Sequence, residues 1–298
     1  MSTESLSSLS VSAQWELRFA DSEDGWISGP RLYSTHDAGR VWTRIALAGL
    51  EAPNSSVGAL EAADGRVYAE VAEGIEPNTL GPVVLFGSRT DSDAWYSVQS
   101  VTTGPAGFAG NISVAQGVFW LSLHPAIVTP QDSESLSTLY RSVDGITWRS
   151  EPQPCPSHSV ATVAASTADR VFVVCADGLA AGSEGKTAYR SDNGGATYAA
   201  VADPPLGGDF EEVSAASSSV SVAASSGATE IYTSFDGGLT WLTTLTIGDA
   251  GLGLSELGFT TASQGVAIHG QTDYPDSLQL WMTRDGGRQW LAVPVNPR

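Results

Sequence analysis

Six side chains in two short acidic segments are the chain's best candidates for touching a ligand. Asp209, Glu211 and Glu212 lie in Asp209-Phe210-Glu211-Glu212, and Asp273, Tyr274 and Asp276 lie in Asp273-Tyr274-Pro275-Asp276. Two carboxylates held roughly 5 to 9 Å apart can hydrolyse a glycosidic bond. The same oxygens, joined by nearby carbonyls, can bind a hard cation such as calcium. With 33 acidic residues in the chain, some pair will always meet the first requirement, and solvated loop charge is the plainer account. No Asp-x-Asp-x-Asp-Gly loop supports the second. His36, His124, His158 and His269 have no paired spacing for a transition metal. Gly248-Asp249-Ala250-Gly251-Leu252-Gly253 has the glycines of a phosphate loop, but no helical pattern follows it, so it reads as a connector. No cofactor is expected, and calcium is the one cation with any signal.

Composition narrows the partners. The 298 residues carry 33 acidic against 14 basic side chains, a formal charge of −19. A phosphate backbone would be repelled, so nucleic acid is not an expected partner. At 42% hydrophobic and 16% charged residues the chain can bury a core. No apolar run is long enough to span a membrane, and Met1-Ser2-Thr3-Glu4-Ser5 lacks the basic and apolar parts of a signal peptide. The only cysteines are Cys155 and Cys175, which exclude a disulfide-dense scaffold or a cysteine-rich zinc site.

The elements that must position these residues are set by a repeated word. Ser234-Phe235-Asp236-Gly237-Gly238-Leu239-Thr240-Trp241 is nearly matched by Thr283-Arg284-Asp285-Gly286-Gly287-Arg288-Gln289-Trp290. Ser34-Thr35-His36-Asp37-Ala38-Gly39-Arg40-Val41-Trp42 carries the same Asp, Gly and Trp one residue further from its Ser. Asn193 replaces the Asp and Tyr198 the Trp in a fourth copy, and the copy around Asp144 is one residue shorter. A sixth aligns only on Asp91 and Trp95. The closing aromatics Trp42, Trp95, Trp148, Tyr198, Trp241 and Trp290 recur at intervals of about fifty residues, which makes six supersecondary units. Gly supplies turn dihedrals that few other residues adopt, and Asp and Ser/Thr side chains bond nearby backbone amides, so each word should brace a hairpin.

This word resembles the Asp-box, or BNR, repeat of sialidase-like β-propellers, and the resemblance covers nearly the whole chain. It implies an all-β fold: a six-bladed β-propeller of four-stranded antiparallel blades, with Asp37, Asp91, Asp144, Asn193, Asp236 and Asp285 as structural residues bracing the hairpins. The phrasing of the last unit, with Phe259, Gly265-Val266-Ala267-Ile268 and its degenerate box, is similar to the photosystem II assembly factor propellers. Those typically present a basic groove, for which this chain has too few arginines. The sialidase site needs an arginine triad, yet Arg40, Arg141, Arg190, Arg284 and Arg288 lie in or beside boxes on the structural face. Arg31 in Gly-Pro-Arg-Leu lacks the Arg-Ile-Pro context, and Arg66 and Arg170 precede second strands. The xyloglucanase-like Asp-box enzymes normally build their cleft from two propellers.

On this reading residues 1–12 are a Ser-rich tail and 13–298 a single propeller domain. Apolar runs such as Val171-Phe172-Val173-Val174 and Val118-Phe119-Trp120-Leu121 are bounded by turn residues, and no helical periodicity occurs. The longer connections, His124 to Ser135, Asp177 to Lys186, Gln271 to Asp276 and Asp203 to Glu212, should emerge on one face, where function usually sits. Cys155 and Cys175 fall at that same end, either as one disulfide or as two buried thiols. The expectation is a monomeric, non-catalytic binding or scaffold module whose long-loop face takes a protein or glycan ligand. The alternative is a secreted glycan-active enzyme. Extracellular or periplasmic placement is the family-based expectation.

Overall fold

Short apolar and β-branched runs separated by Gly, Asp and Ser become strands wherever the structure is described. The computed structural model describes residues 16–51, 55–76, 79–98, 108–125, 137–156, 159–177, 184–216, 219–226, 228–248, 253–270 and 278–294. The Ser-rich segment 1–12 and most of three of the longer connections therefore lie outside the described residues.

The first sheet is β1 (Glu16–Phe19), β2 (Asp24–Ser28), β3 (Leu32–His36) and β4 (Thr43–Ile45). The second is β5 (Ser56–Ala63), β6 (Arg66–Glu76), β7 (Thr79–Arg89) and β8 (Tyr96–Ser97). The third is β9 (Phe108–Ala115), β10 (Val118–Pro125), β11 (Thr138–Ser142) and β12 (Arg149–Glu151). The fourth is β13 (Val160–Ala165), β14 (Val171–Asp177), β15 (Gly185–Ser191) and β16 (Ala199–Ala200). The fifth is β17 (Asp209–Ala215), β18 (Val220–Ser226), β19 (Ala228–Ser234) and β20 (Leu242–Ile247). The sixth is β21 (Leu254–Phe259), β22 (Gly265–His269), β23 (Gln279–Thr283) and β24 (Leu291–Val293). Each sheet takes four consecutive strands, and all neighbours are antiparallel. The fold is an all-β, six-bladed β-propeller, as the repeat implied. No helix among the described residues is long and apolar enough to cross a membrane.

The chain divides into two compact units, Met1–Ile127 with Thr138–Glu151, and Val128–Ser137 with Pro152–Arg298. The first holds sheets one to three. Its central strands bury both faces, so they read as near-continuous apolar runs rather than alternating ones. On β6, Val67, Ala69 and Val71 pack with Trp26, Leu32, Leu60 and Phe86, while Tyr68 and Ala72 pack with Leu85, Ile112, Phe119 and Leu123. In the second unit, Phe172, Val174, Val213 and Val220 form one cluster, and Ile231, Leu245, Leu257 and Trp290 another. Each fully buried large side chain contributes about 1.5–3 kcal/mol.

The repeated words form turns of one design. In the fifth sheet Ser234 Oγ accepts from Gly238 N (2.8 Å), and Asp236 Oδ1 accepts from Leu239 N (3.0 Å) and Thr240 N (2.9 Å). Asn193, Asp285 and the shorter turn at Asp144 do the same for their own amides. In the first sheet the hydroxyl is that of Thr35, which accepts from Gly39 N (3.0 Å) and donates to Asp37 Oδ1 (2.9 Å). Counted from Thr35 the first word has the standard spacing, and the extra residue counted from Ser34 disappears. Asp91 departs from its expected role. Both its oxygens accept from the Arg89 guanidinium, and Ser92 Oγ takes Ala94 N instead (3.1 Å). Counting from Ser88, Thr90 rather than Asp91 holds the place of the bracing carboxylate, so the sequence match fell one residue late.

The turns also tie sheets together within each unit. Gly145 O accepts from Tyr68 (2.5 Å) and Tyr96 (2.9 Å), Gly237 O from Arg190 (2.7 Å), and Gly286 O from Ser219 (2.8 Å). In the first unit His36 lies between Asp24 (2.6 Å to Nδ1) and Asp93 (3.3 Å to Nε2), while Ser34 Oγ donates to the second oxygen of Asp93. Partial burial pulls the imidazole pKa down, but the hydrogen bonds and charges of the two carboxylates outweigh it, and the net shift is upward. In the second unit Cys155 and Cys175 are joined by a disulfide with Cα atoms 5.4 Å apart. It pins the connection before β13 to the end of β14.

Candidate functional site

The described part of the long-loop region centres on Lys186, the only lysine in the chain. It is the second residue of β15, where its backbone pairs with Ala176, and the residue is 2% exposed. The ammonium faces five backbone carbonyl oxygens: Gly208 at 2.7 Å, Glu184 at 3.0 Å, Pro205 at 3.3 Å, and Leu206 and Gly207 at 3.4 Å. An ammonium has three protons, so the shorter contacts are hydrogen bonds and the longer ones chiefly charge–dipole attraction. Burial draws its pKa below the ordinary lysine value, and the charges of Glu184 and Asp209 oppose that shift.

Around this cage the connection from β16 to β17 is tied at nearly every residue. Ala202 N donates to Gly238 O, and Ala202 O accepts from the Trp241 indole (2.7 Å). Asp203 Oδ1 accepts from Ala188 N (3.2 Å), and Glu184 Oε2 from Phe210 N (2.8 Å). The Tyr232 hydroxyl sits between the Glu230 carboxylate and Gly207 O, and burial with the Glu230 charge pushes its pKa up. Pro204 and Pro205 restrict the backbone further. From this braced segment Leu206 projects into solvent, 65% exposed.

Three of the six predicted ligand residues, Asp209, Glu211 and Glu212, lie among the described residues. Asp209 begins β17 beside the cage, and its charge acts on Lys186. Glu211 occupies a β-bulge between Phe210 and Glu212, where the ladder with β18 slips by one residue. Glu212 reaches the sixth sheet, and its Oε2 accepts from Leu257 N at 2.7 Å. Asp273, Tyr274 and Asp276 lie outside the described residues. Three carboxylates of the region, on Glu184, Asp203 and Glu212, thus hold backbone amides and fix the framework. No group of three or more His, Cys, Asp or Glu side chains among the described residues is arranged to hold a metal. Sequence reasoning passed over Lys186 as the end of a loop. Its signal was its singularity, since every other basic residue is arginine.

The fold sets this braced loop on a six-bladed β-propeller, and comparison with known proteins stays at the level of the fold. Neither a protein-family model nor a curated protein sequence matches the chain. Among solved structures it is similar to YCF48 bound to a D1 peptide, with TM-score 0.57 and 14% identity over 94% of this chain and 80% of that one. It is similar to YCF48 from Cyanidioschyzon merolae, with TM-score 0.54 and 12% identity over 95% and 85%. It is also similar to an α-L-arabinofuranosidase from Fusarium graminearum in complex with an iminosugar inhibitor, with TM-score 0.59 and 11% identity over 91% and 92%. At such identities the likeness is one of fold, and a fold shared by a peptide-bound protein and a glycosidase assigns neither role.

Proposed function

We propose that the chain is a non-catalytic binding or scaffold module, an Asp-box propeller that engages a protein partner through the face carrying residues 203–209. The observation that carries this reading is the pairing of an exposed Leu206 with a loop whose backbone is already fixed by Lys186. An apolar side chain presented on an ordered loop binds without the entropy cost of ordering that loop, which is where much association energy is otherwise lost. The surrounding carboxylates and the formal charge of −19 favour a partner whose rim is basic. The peptide held by the similar YCF48 structure shows that a propeller of this general shape can take a polypeptide. The use of Glu184, Asp203 and Glu212 as amide acceptors supports a framework role for these acids over a catalytic one.

The test is to screen the chain against arrays of basic peptides and of glycans, alongside hydrolysis assays on sialosides, arabinan and xyloglucan. Binding to a peptide carrying basic and apolar residues, lost in Leu206→Asp while the melting temperature holds, is the expected result. Turnover of any glycoside, binding that Leu206→Asp leaves unchanged, or blank arrays would overturn the reading.

A further inference from the structure

Glu70 is the most deeply buried acid described. It lies in the middle of β6 between Ala59 on β5 and Leu85 on β7, has no exposed surface, and neither carboxyl oxygen has a hydrogen-bond partner. Strand alternation puts it on the face of Tyr68 and Ala72, where the second sheet packs against the third through Leu85, Ile112, Leu121 and Leu123.

The space for its carboxyl is made by two glycines. Gly58 sits at a β-bulge in β5, and a Cβ there would stand 3.4 Å from Oε1. A Cβ at Gly110 on β9 would overlap Oε2 and come within 2.6 Å of the Ser122 carbonyl oxygen and 2.8 Å of Leu123 Cδ2. The cleft is thus shaped to the acid and closes around it. A neutral carboxyl tolerates such a place, whereas an unpartnered carboxylate is strongly disfavoured in an apolar interior. Of the ionisable groups on the surrounding strands, Glu16 and Arg18 on β1, Glu61 on β5, Arg66, Tyr68, Glu73 and Glu76 on β6, Arg89 on β7 and His124 on β10, the one whose charge bears on Glu70 is Glu16, and its sign is the wrong one for a carboxylate. Burial first, and the Glu16 charge second, push the Glu70 carboxyl up to about 8.

We propose that Glu70 is a proton-operated latch in the first unit: as the neutral acid it lets the second and third sheets close over Gly58 and Gly110, and when its proton passes to solvent the carboxylate must leave, parting β6 from β9. The binding reading of the second unit does not depend on it, and it does not depend on that reading.

Hydrogen exchange of the whole chain, followed by mass spectrometry from about pH 5 to about pH 9.5 and corrected for the intrinsic rate, tests the latch. Peptides over β5, β6, β9 and β10 should lose protection by about tenfold for each pH unit between the ordinary carboxyl value of 4.5 and about 8, and level off above it. Peptides over β18 and β22 serve as the internal reference and should not follow. Glu70→Gln, uncharged and of the same shape, should abolish the pH dependence, and Glu70→Leu does so if the amide variant folds poorly. Glu16→Gln should lower the pH at which the loss levels off, an effect that a merely space-filling Glu70 would not produce. Equal pH dependence in wild type and Glu70→Gln, or wild-type protection over β6 and β9 that stays flat from about pH 5 to about pH 8, would overturn the proposal.

Discussion

Replacing Lys186 by Met removes the charge and keeps most of the side-chain volume, so it asks what the ammonium alone contributes. The three shortest contacts, to Gly208, Glu184 and Pro205 at 2.7, 3.0 and 3.3 Å, are bonds to a charged donor. Such bonds are each worth roughly 1.5–3 kcal/mol when broken in a buried setting. Part of that returns because residues 205–208 can relax until water reaches their carbonyls, and part because an ammonium no longer has to be desolvated. The net loss should be about 2–4 kcal/mol, at the upper end of single substitutions. With a denaturant slope of about 3 kcal/mol/M, the urea midpoint should fall by about 1 M. Hydrogen exchange supplies the local reading: the Phe210 amide, bonded to Glu184 Oε2, should lose protection well before amides in β18. Lys186→Arg should fare little better, because a flat five-donor fork cannot turn its protons toward a ring of carbonyls. A midpoint for Lys186→Met within about 0.2 M of wild type, with the Phe210 amide still protected, would show that the loop is held by its prolines and side chains.

Three further outcomes follow from the repeat turns. Asp236→Ala should lower the melting temperature, since Leu239 N, Thr240 N and the Thr240 hydroxyl all lose their acceptor, whereas Asp91→Ala should leave it within scatter. The Thr240 hydroxyl and amide hold the Asp236 carboxyl down to about 2, so in an acid titration its contribution persists above the ordinary aspartate range and fades only as pH falls toward 2. For His36 the sign reverses. A raised pKa stabilises fully below the unfolded value of about 6.5 and is lost as pH rises through the folded one. Because the ring is partly exposed, His36→Gln should remove only about 0.2–1 kcal/mol at pH 6 and nearly nothing at pH 9, as read by urea titration at both. Ala38 adopts φ 61° where the other full-length turns use glycine, so Ala38→Gly should raise stability by about 0.5–1 kcal/mol, whereas Gly237→Ala should lower it because φ is 76° and the new methyl would strike Arg190.

How much was legible follows the range of each interaction. The turns are written in contiguous residues, and because each pair of outer strands is joined by one, their spacing was enough to count the sheets. The errors were also local. Thr35 and Ser34 are both hydroxyls, and only the bond to Gly39 N says which one belongs to the turn. Near Trp95 an Asp stands one place late and a serine does its work. The candidate site failed differently. Glu212 looked like a free loop acid because its partner, Leu257 N, is 45 residues away and a backbone amide leaves no mark on composition. Glu70 sits in Val-Tyr-Ala-Glu-Val-Ala, an apolar run with one acid. That pattern was visible, but the two glycines that admit the carboxyl are on other strands.

The confinement of Lys186 has a practical corollary. Apart from the histidines, every other basic side chain in the molecule is a guanidinium, and the single side-chain amine is enclosed by carbonyl oxygens to which its protons are donated. Acyl transfer needs a free amine, so an activated ester, an aldehyde crosslinker or a cellular acyl donor finds no side-chain nucleophile of this kind until the loop opens. The rate at which Nζ becomes acylated then measures how often residues 203–209 let go, and the molecule carries its own clock for the motion of the surface it would use to bind.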